Sequence, residues 1–326
     1  MSEFGPSPAE EAEREATGVL LAEEIAELRS RARTDEDFQT ILQKISELKG
    51  IFRPTSEAKL SGEISEQIEQ AKEIFGADFF GPEQVQSAFL GQIEISEIPS
   101  IPFPPEELER AKELGQMLIL RAAKTKDGSG LTMEKIGEIL EGKLKEDSAV
   151  LYGGWYKEED FYKTEAPEAS WALVSKELIP DSTSKNYLAQ TERLVEYLKT
   201  EIFKDKEVPI EYTEAIEEFE RERESISATV ESSVESEWKE AAHRLEALKI
   251  NQLTRQTPVE SLYDSMVYYQ QIGERLLAND YTWTSRRDSA GHLVCVGFFG
   301  SGSVRVDEAM PDYSDPTLGV SFSRSQ

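Results

Sequence analysis

The sequence predicts an α+β fold, in which an α-helical amino-terminal module precedes a mixed domain that carries a helical insertion. Apolar residues recur at helical spacing through the first 75 residues. In contrast, apolar and small polar residues alternate at Tyr281–Ser285 and Leu318–Arg324, as they do in paired strands. A Glu- and Arg-rich stretch at about 205–248 favours a long helix or a helical hairpin. We therefore assign the helical module to residues 1–100 and the α+β domain to residues 101–326.

The amino-terminal module contains three predicted helices. They cover residues 8–33, 34–50 and 56–75. Thr34 is a favourable N-cap for the second helix, and Gly76 is a favourable stop for the third. The alternative is an acidic, solvated extension that packs only loosely against the rest of the chain.

A proline-rich segment between residues 95 and 104 indicates an irregular connection and the expected domain boundary. A short helix is predicted to begin at Pro82, before this connection, and another at Pro105, directly after it. The apolar run Met117–Arg121 predicts a buried strand, and a further helix is expected from Leu131.

In the middle of the chain, aromatic-rich segments alternate with segments predicted to be helical. Tyr152–Tyr162 is dense in aromatic residues, which favours core and loop packing over a sugar-binding platform. Trp171–Leu178 predicts a strand, and the apolar spacing of Tyr187–Ile202 predicts a helix packed on the sheet. We expect a short strand at Asn251–Arg255, followed by a helix from Pro258. Its inner face should consist of Leu262, Met266, Tyr269 and Ile272.

Charge limits the classes of partner. The formal net charge is −28, and residues 281–326, with four basic and five acidic side chains, contribute only −1 of it. The acidic remainder should repel nucleic acid and anionic lipid, so we expect neither a nucleic acid nor a membrane as partner. The chain has no apolar run of membrane-spanning length and no signal-peptide pattern at its start. We therefore expect a cytoplasmic or virion-associated protein.

The residues that catalysis would need do not form a recognisable pattern. Cys295 is the only cysteine, which excludes an internal disulfide and a zinc cluster built from thiolates. His243 and His292 are far apart in sequence and do not suggest a metal site. We find neither a glycine-rich phosphate loop nor a nucleophile elbow. The sequence thus predicts no catalytic residue, no metal and no cofactor.

The carboxy-terminal stretch from 281 to 324 contains YTWTS at Tyr281–Ser285, Val296 with Gly297, PDYSD at Pro311–Asp315, and LGVSFSR at Leu318–Arg324. These motifs carry a resemblance to the variable region of a diversity-generating retroelement target protein. It implies a C-type lectin-like fold of the kind shared with formylglycine-generating enzymes. It also implies that the residues of the ligand-facing surface are changed by adenine-directed mutagenic copying of a template repeat. The ligand that it implies is a macromolecule, namely a protein.

A test of this resemblance uses the codons that such copying can produce. An asparagine codon ending in C, randomised at both adenines, cannot encode Lys, Glu, Gln, Met or Trp. The chain has 19 lysines up to Lys249 and none in the 77 residues that follow. Within 281–324, only Trp283, Glu308 and Met310 belong to the forbidden set, and Trp283 lies in the framework. A glycine-rich β tail that simply contains few lysines is the alternative explanation.

The resemblance assigns separate roles to framework and surface. We expect the framework to be buried at Trp283, Leu293, Val296, Val320 and Phe322. The residues expected to contact the ligand are Arg286, Asp288, Ala290, His292, Cys295, Phe298, Gly300, Arg305, Asp307, Asp312, Tyr313, Asp315, Pro316 and Thr317. Aromatic and cationic side chains among them would be anchors of the kind that dominate protein interfaces.

Three functions share this interpretation. The first is a non-enzymatic ligand-binding protein with a diversified face. The second is a phage or virion component that binds a receptor. The third is an enzyme of the formylglycine-generating type, which relies on cysteine or copper chemistry that a lone Cys295 does not supply as a dithiol. Calcium-dependent sugar binding is not predicted, because the Glu-Pro-Asn, Gln-Pro-Asp and Trp-Asn-Asp triplets of such lectins do not occur.

Overall fold

A computed structural model describes Lys44 and residues 62–144 and 149–325 of the chain. The predicted helices over 8–33 and 34–50 lie outside the described residues, Lys44 excepted. The described chain mixes helices with sheets, as the α+β prediction requires. No described helix combines the length and the apolar character that a membrane crossing requires.

The helices range from short connecting turns to a helical hairpin. They are α1 (Gly62–Phe75), α2 (Pro82–Ala88), α3 (Pro105–Glu113), α4 (Met133–Leu140), α5 (Asp160–Lys163), α6 (Tyr187–Tyr197), α7 (Ile210–Val230), α8 (Glu235–Ala247), α9 (Lys249–Thr254) and α10 (Pro258–Ile272). A π-helical turn, Leu198–Ile202, extends α6. The hairpin of α7 and α8 lies in the stretch 205–248, where a long helix or a helical hairpin was predicted, and its two helices pack on each other.

The strands form two main sheets and a small two-stranded one. They are β1 (Phe79–Phe80), β2 (Ile93–Glu94), β3 (Gln116–Arg121), β4 (Lys124–Thr125), β5 (Leu151–Tyr152), β6 (Ser170–Ser175), β7 (Tyr281–Arg287), β8 (Leu293–Gly297), β9 (Val304–Ala309), β10 (Leu318–Gly319) and β11 (Ser323–Ser325). The first sheet has the order β1-β3-β6-β11, and the second has the order β10-β7-β8-β9-β5.

The second sheet separates two hydrophobic cores. Val294 and Val296 of β8 belong to the core that β3, β6 and α10 share. Leu293 and Cys295 belong to the core that α6, the α7–α8 hairpin and Phe322 share. Because side chains alternate along a strand, β8 contributes to both cores and is buried throughout.

A buried ionic group joins the two ends of the domain. The guanidinium of Arg121 on β3 donates to both carboxylate oxygens of Asp264 on α10, at 3.2 and 2.6 Å. It also donates to Glu260 at 2.7 Å and to Ser323 of β11 at 3.1 Å. Burial lowers the pKa of Arg121, but Asp264 and Glu260 outweigh this effect, and the pKa is raised above its ordinary value.

The last strand is held by a second arginine. Arg324 is buried, and its guanidinium lies over the rings of Phe103 and Phe203, 4.8 and 5.5 Å from their centroids. It donates to Glu107 of α3 at 2.5 Å. The chain therefore closes by inserting a paired cation between two aromatic rings.

Most predicted elements are confirmed. The helices predicted at Pro82, Pro105 and Pro258 begin there, because proline is favourable in the first helical turn. The first described residue of the helix predicted to reach Phe75 is Gly62, and Gly76, with φ of 58°, follows its end as expected. The strands predicted at 117–121 and 171–178 correspond to β3 and to a shorter β6.

Two predictions about this part of the chain are wrong. The strand expected at Asn251–Arg255 is instead the helix α9, in which Thr254 Oγ1 donates to the carbonyl of Ile250. Ile272 was placed on the inner face of α10 but is 38 % exposed. It is the last residue of that helix, and Gly273, at φ of 83°, then turns the chain away from the core.

The predicted division at residue 100 remains a prediction. Described residues on both sides of it share a sheet, because Phe79 of β1 pairs with Leu118 of β3. They also share a core, since Phe75 and Phe89 lie in the same buried cluster as Leu118.

Candidate ligand-binding face

The register of the second sheet places side chains in rows on one face. Asp307 of β9 pairs with Cys295 of β8, and Cys295 pairs with Trp283 of β7. Paired residues on adjacent strands point to the same side of a sheet. Trp283 and Cys295 are buried against the helical core, whereas Asp307 is exposed at the outer end of the row.

The next row lies two residues along and is more exposed. It contains Arg305 of β9, Gly297 of β8 and Tyr281 of β7. Tyr152 of β5 pairs with Arg305 and extends the row beyond the edge of β9. Because β5 and β9 are far apart in sequence, the fold alone brings Tyr152 to this face.

An open cavity of about 870 Å³ lies over these rows. All of its lining residues come from β7 to β10 and the segments between them. They are Tyr281, His292, Cys295, Asp307, Glu308, Ala309, Met310, Asp312, Tyr313, Ser314, Asp315, Thr317 and Leu318. Leu318 and Cys295 are the buried members of the lining.

The cysteine in the cavity lining has a thiol of low reactivity. Burial, and then the nearby Asp307 and Glu308, raise the pKa of Cys295 well above its ordinary value. A thiol in such surroundings stays protonated near neutral pH and reacts slowly. Cys295 therefore contributes apolar volume to the lining.

Beside the cavity, four side chains form a stacked ridge. The guanidinium of Arg305 lies 4.8 Å from the ring of Tyr152 and 5.0 Å from the ring of Phe298. Phe298 in turn stacks on Tyr281, with centroids 5.4 Å apart and planes 19° apart. Tyr281 completes the link to the cavity by donating its hydroxyl to Asp307 at 2.8 Å. We call Tyr152, Arg305, Phe298 and Tyr281 the ridge.

The backbone under the ridge is strained. Phe298 adopts left-handed φ and ψ of 51° and 44°, which a non-glycine residue seldom does. Its amide donates to the carbonyl of Asp280 at 2.7 Å. Gly297, at φ of 155°, comes so close to the same carbonyl that a Cβ would overlap it. These two residues hold the Phe298 ring against Tyr281.

The segment that forms the far wall of the cavity is folded by its own side chains. Asp315 accepts hydrogen bonds from the amide of Thr317 at 2.8 Å and from its hydroxyl at 2.6 Å. These bonds lower the pKa of Asp315. Backbone bonds from Ser184 to Asp315 and from Tyr187 to Pro311 attach the segment to the start of α6. The wall is thus a fixed turn.

A second corner of the cavity depends on the helical hairpin. The amide and Nδ1 of His292 contact the carboxylate of Asp288, at 2.7 and 3.1 Å. The imidazole stacks on Trp238 of α8, with centroids 5.0 Å apart. The hairpin therefore orients a residue of the cavity that is distant from it in sequence.

The structure divides the fourteen predicted ligand-contacting residues into three groups. Seven line the cavity, namely His292, Cys295, Asp307, Asp312, Tyr313, Asp315 and Thr317. Two, Phe298 and Arg305, belong to the adjacent ridge. The other five, which lie outside the cavity lining and the ridge, are Arg286, Asp288, Ala290, Gly300 and Pro316.

Two residues of the outer group form side-chain contacts within the chain. Arg286 forms a two-oxygen contact with Glu165, at 2.8 and 3.1 Å, and donates to Gln252 at 3.0 Å. Asp288 binds the amide and ring of His292. Ala290, Gly300 and Pro316 are exposed. The cavity and the ridge therefore define a narrower face than the predicted set.

The framework predictions are confirmed. Trp283, Leu293, Val296, Val320 and Phe322 are all fully buried. The strands that carry the face are thus fixed by residues that do not reach its surface.

Sequence reasoning missed part of the face. Tyr281 was placed in the framework, yet it joins the ridge to the cavity. Tyr152 was attributed to packing, but its side chain is 62 % exposed and belongs to the ridge. The packing prediction does hold for Tyr156 and Phe161, which are buried nearby. Strand alternation places Tyr281 on the same side as the buried Trp283 and so predicts that it is buried, and no local signal identifies Tyr152.

Comparison with known proteins gives no further assignment. No protein-family model, curated protein or solved structure matches this chain.

Proposed function

We propose that this chain is a non-enzymatic ligand-binding protein whose carboxy-terminal face recognises a macromolecular partner, a protein in kind. In this proposal it is a variable protein of a diversity-generating retroelement, with a C-type lectin-like domain. The observation that carries the proposal is the separation of roles in 281–324. The predicted framework residues are fully buried, while half of the predicted contact residues line one open cavity.

This separation would let the face change without unfolding the domain. Surface substitutions usually alter the free energy of unfolding by no more than about 0.5 kcal/mol, whereas substitutions in a core cost several times as much. Asp307, Asp312 and Tyr313 are exposed, and the strand and turn that carry them are fixed by Val306, Pro311 and other buried residues. Such a scaffold supports side-chain diversity in the way that binding loops on rigid domains do.

The strand arrangement supports the lectin-like part of the proposal. β11 lies in the same sheet as β3 and β6, so the end of the described chain returns to the beginning of the predicted domain. The residues between β7 and β11 form the second sheet and its connections, which carry the cavity.

The buried Cys295 supports the non-enzymatic part. Its raised pKa and its position in the lining do not suit a nucleophile or a metal-binding thiolate. Under this proposal Cys295 is one of the variable positions of the cavity lining, and in this chain a small apolar side chain occupies it.

Two residues of the lining should not vary under this proposal. Glu308 and Met310 line the cavity, yet randomised asparagine codons ending in C cannot encode them. We therefore expect the cavity to combine constant positions with variable ones such as Asp307 and Asp312.

The test is to sequence this gene and its neighbourhood in independent isolates. We expect a reverse transcriptase gene and a template repeat nearby, and differences between copies concentrated from 286 to 317. Trp283, Glu308 and Met310 serve as internal controls that should stay constant. Differences spread evenly along the chain, or substitutions at Trp283 as frequent as those at Asp312, would refute the proposal.

A further inference from the structure

We infer that the cavity receives a cationic side chain, a lysine or an arginine on a partner polypeptide, between its carboxylates and the ring of Tyr313. The inference rests on the proposed ligand-binding function and specifies the chemistry of the partner. It concerns the side chains that this particular chain presents.

Four carboxylates line the cavity, and in the described part of the chain no lysine or arginine pairs with them. They are those of Asp307, Glu308, Asp312 and Asp315. Across the described residues, none of the four forms an ion pair with a lysine or arginine. The arginines near the face are engaged elsewhere, Arg286 with Glu165 and Arg287 with Glu246. The cavity therefore holds uncompensated negative charge.

The charges affect one another. Burial, followed by repulsion from Asp288 and Asp307, raises the pKa of Glu308. The two neighbouring basic side chains do not pair with Glu308: Arg305 is held in the ridge, and His292, which lowers the pKa of Glu308 without outweighing the effects that raise it, is bound to Asp288. A cation that enters from a partner would be attracted by all four carboxylates.

The arrangement favours an organic cation over a metal ion. No three His, Cys, Asp or Glu side chains in the described ranges come close enough together to hold a metal. The cavity volume of about 870 Å³ also exceeds what an ion needs. A guanidinium or an ammonium on a flexible stem can instead contact separated carboxylates, and its stem can lie against apolar walls.

The aromatic residues fit the same occupant. Tyr313 is 48 % exposed, so its ring is available to a cation, whereas the ring of Tyr281 is stacked on Phe298 and its hydroxyl is bound to Asp307. Cations are attracted to the faces of such rings. The ridge already contains one example, since Arg305 lies between the rings of Tyr152 and Phe298.

Exposed apolar side chains around the cavity indicate a polypeptide. Tyr152, Met310 and Tyr313 are 62, 43 and 48 % exposed. Aromatic residues and methionine are enriched at protein interfaces, and charged side chains in that setting select the partner by complementarity. A free amine would reach the carboxylates but would leave these apolar groups in water.

The experiment measures binding of single-residue probes to the full chain by ligand-observed NMR. The cationic probes are N-acetyl-arginine N-methylamide and its lysine counterpart. The norleucine and glutamate counterparts test for apolar and acidic preference. Asp312→Asn is the first variant, because Asp312 is exposed and makes no side-chain hydrogen bond in the described structure. Asp307→Asn is the second, and Glu83→Gln on the exposed surface of α2 is the matched control.

We expect both cationic probes to bind the chain and the norleucine and glutamate probes to bind at least tenfold more weakly. Asp312→Asn should weaken arginine binding about threefold to fivefold, within the range for exposed ion pairs. Raising the salt concentration should weaken it further through screening. Glu83→Gln should leave the affinity unchanged, and circular dichroism should verify that each variant is folded.

Equal binding of the norleucine probe would overturn the inference, as would unchanged arginine affinity in both Asp312→Asn and Asp307→Asn. Tight binding of calcium chloride that displaces the arginine probe would also overturn it, in favour of a metal site. The proposed function fails independently of these results. Gene copies that do not vary would refute diversification while cation binding stands, and varying copies without cation binding would refute only the present inference.

Discussion

The ion pair between Arg121 and Asp264 offers the sharpest test of how the two ends of the domain are joined. Both side chains are 1 % exposed, and the guanidinium contacts both oxygens of the carboxylate. Asp264→Ala would remove the better buried of the two carboxylates that neutralise Arg121. Glu260, which is 16 % exposed, would remain. Breaking a buried pair from one side costs about 3–5 kcal/mol, because the remaining charge stays desolvated.

The free energy of unfolding in urea is the measurement. We expect Asp264→Ala to lower it by about 3–5 kcal/mol, and the double variant Arg121→Met with Asp264→Leu to lose much less. Glu158→Ala is the control, since that residue forms an exposed pair with Lys163 and should have little effect. A loss below about 1 kcal/mol in Asp264→Ala would refute the reasoning, because it would place the pair in the class of solvent-exposed bridges.

Three further predictions concern the candidate ligand-binding face. Gly297→Ala should lower the free energy of unfolding in urea by more than about 1 kcal/mol, because the added Cβ would overlap the carbonyl of Asp280. The control is Gly137→Ala on α4, where a Cβ meets open space and the change should be neutral or stabilising. Cys295 should react with a thiol reagent at pH 8 far more slowly in the native chain than in urea, and equal rates would contradict its buried position. The raised folded-state pKa of Glu308 means that its contribution favours the folded state at low pH and is lost as pH rises through that pKa. Glu308→Gln should therefore flatten the stability profile above pH 4.5, the ordinary value for a glutamate, and an unchanged profile would exclude this residue as the cause.

Sequence reasoning worked best where a local signal agrees with the tertiary structure. Pro82, Pro105 and Pro258 mark helix starts because proline fixes the backbone of the first turn whatever the helix packs against. Trp283 and Val320 lie in short runs of apolar and small polar residues that indicate strands, and both kinds of residue are buried there, including Thr282 and Ser321.

It failed where long-range packing decides. The segment 251–255 contains residues that suit a strand, but Asn251 is drawn into a buried polar group with Thr191 and Arg255, and α9 results. Arg286 was predicted to contact a ligand because it lies in the segment 281–324, which resembles a variable region. Its partner Glu165 lies 121 residues earlier in the chain, and no local sequence pattern predicts that pair.

The face shows the same limit. Its cavity could be approximated from 281–324 alone, because every lining residue belongs to that range. The ridge could not be, since Tyr152 reaches it through the parallel pairing of β5 with β9. The indole of Trp155, which donates to the carbonyl of Val306 at 2.9 Å, is fixed there by the same long-range arrangement.

The way Arg324 and β11 complete the first sheet has a consequence for truncated forms of the chain. A chain that stops between 286 and 317 would lack the strand beside β6 and would leave Phe103 and Phe203 uncovered. Such products would expose apolar surface and become substrates for cellular proteases. Only chains that reach Arg324 would accumulate, so the fold itself would select for full-length products.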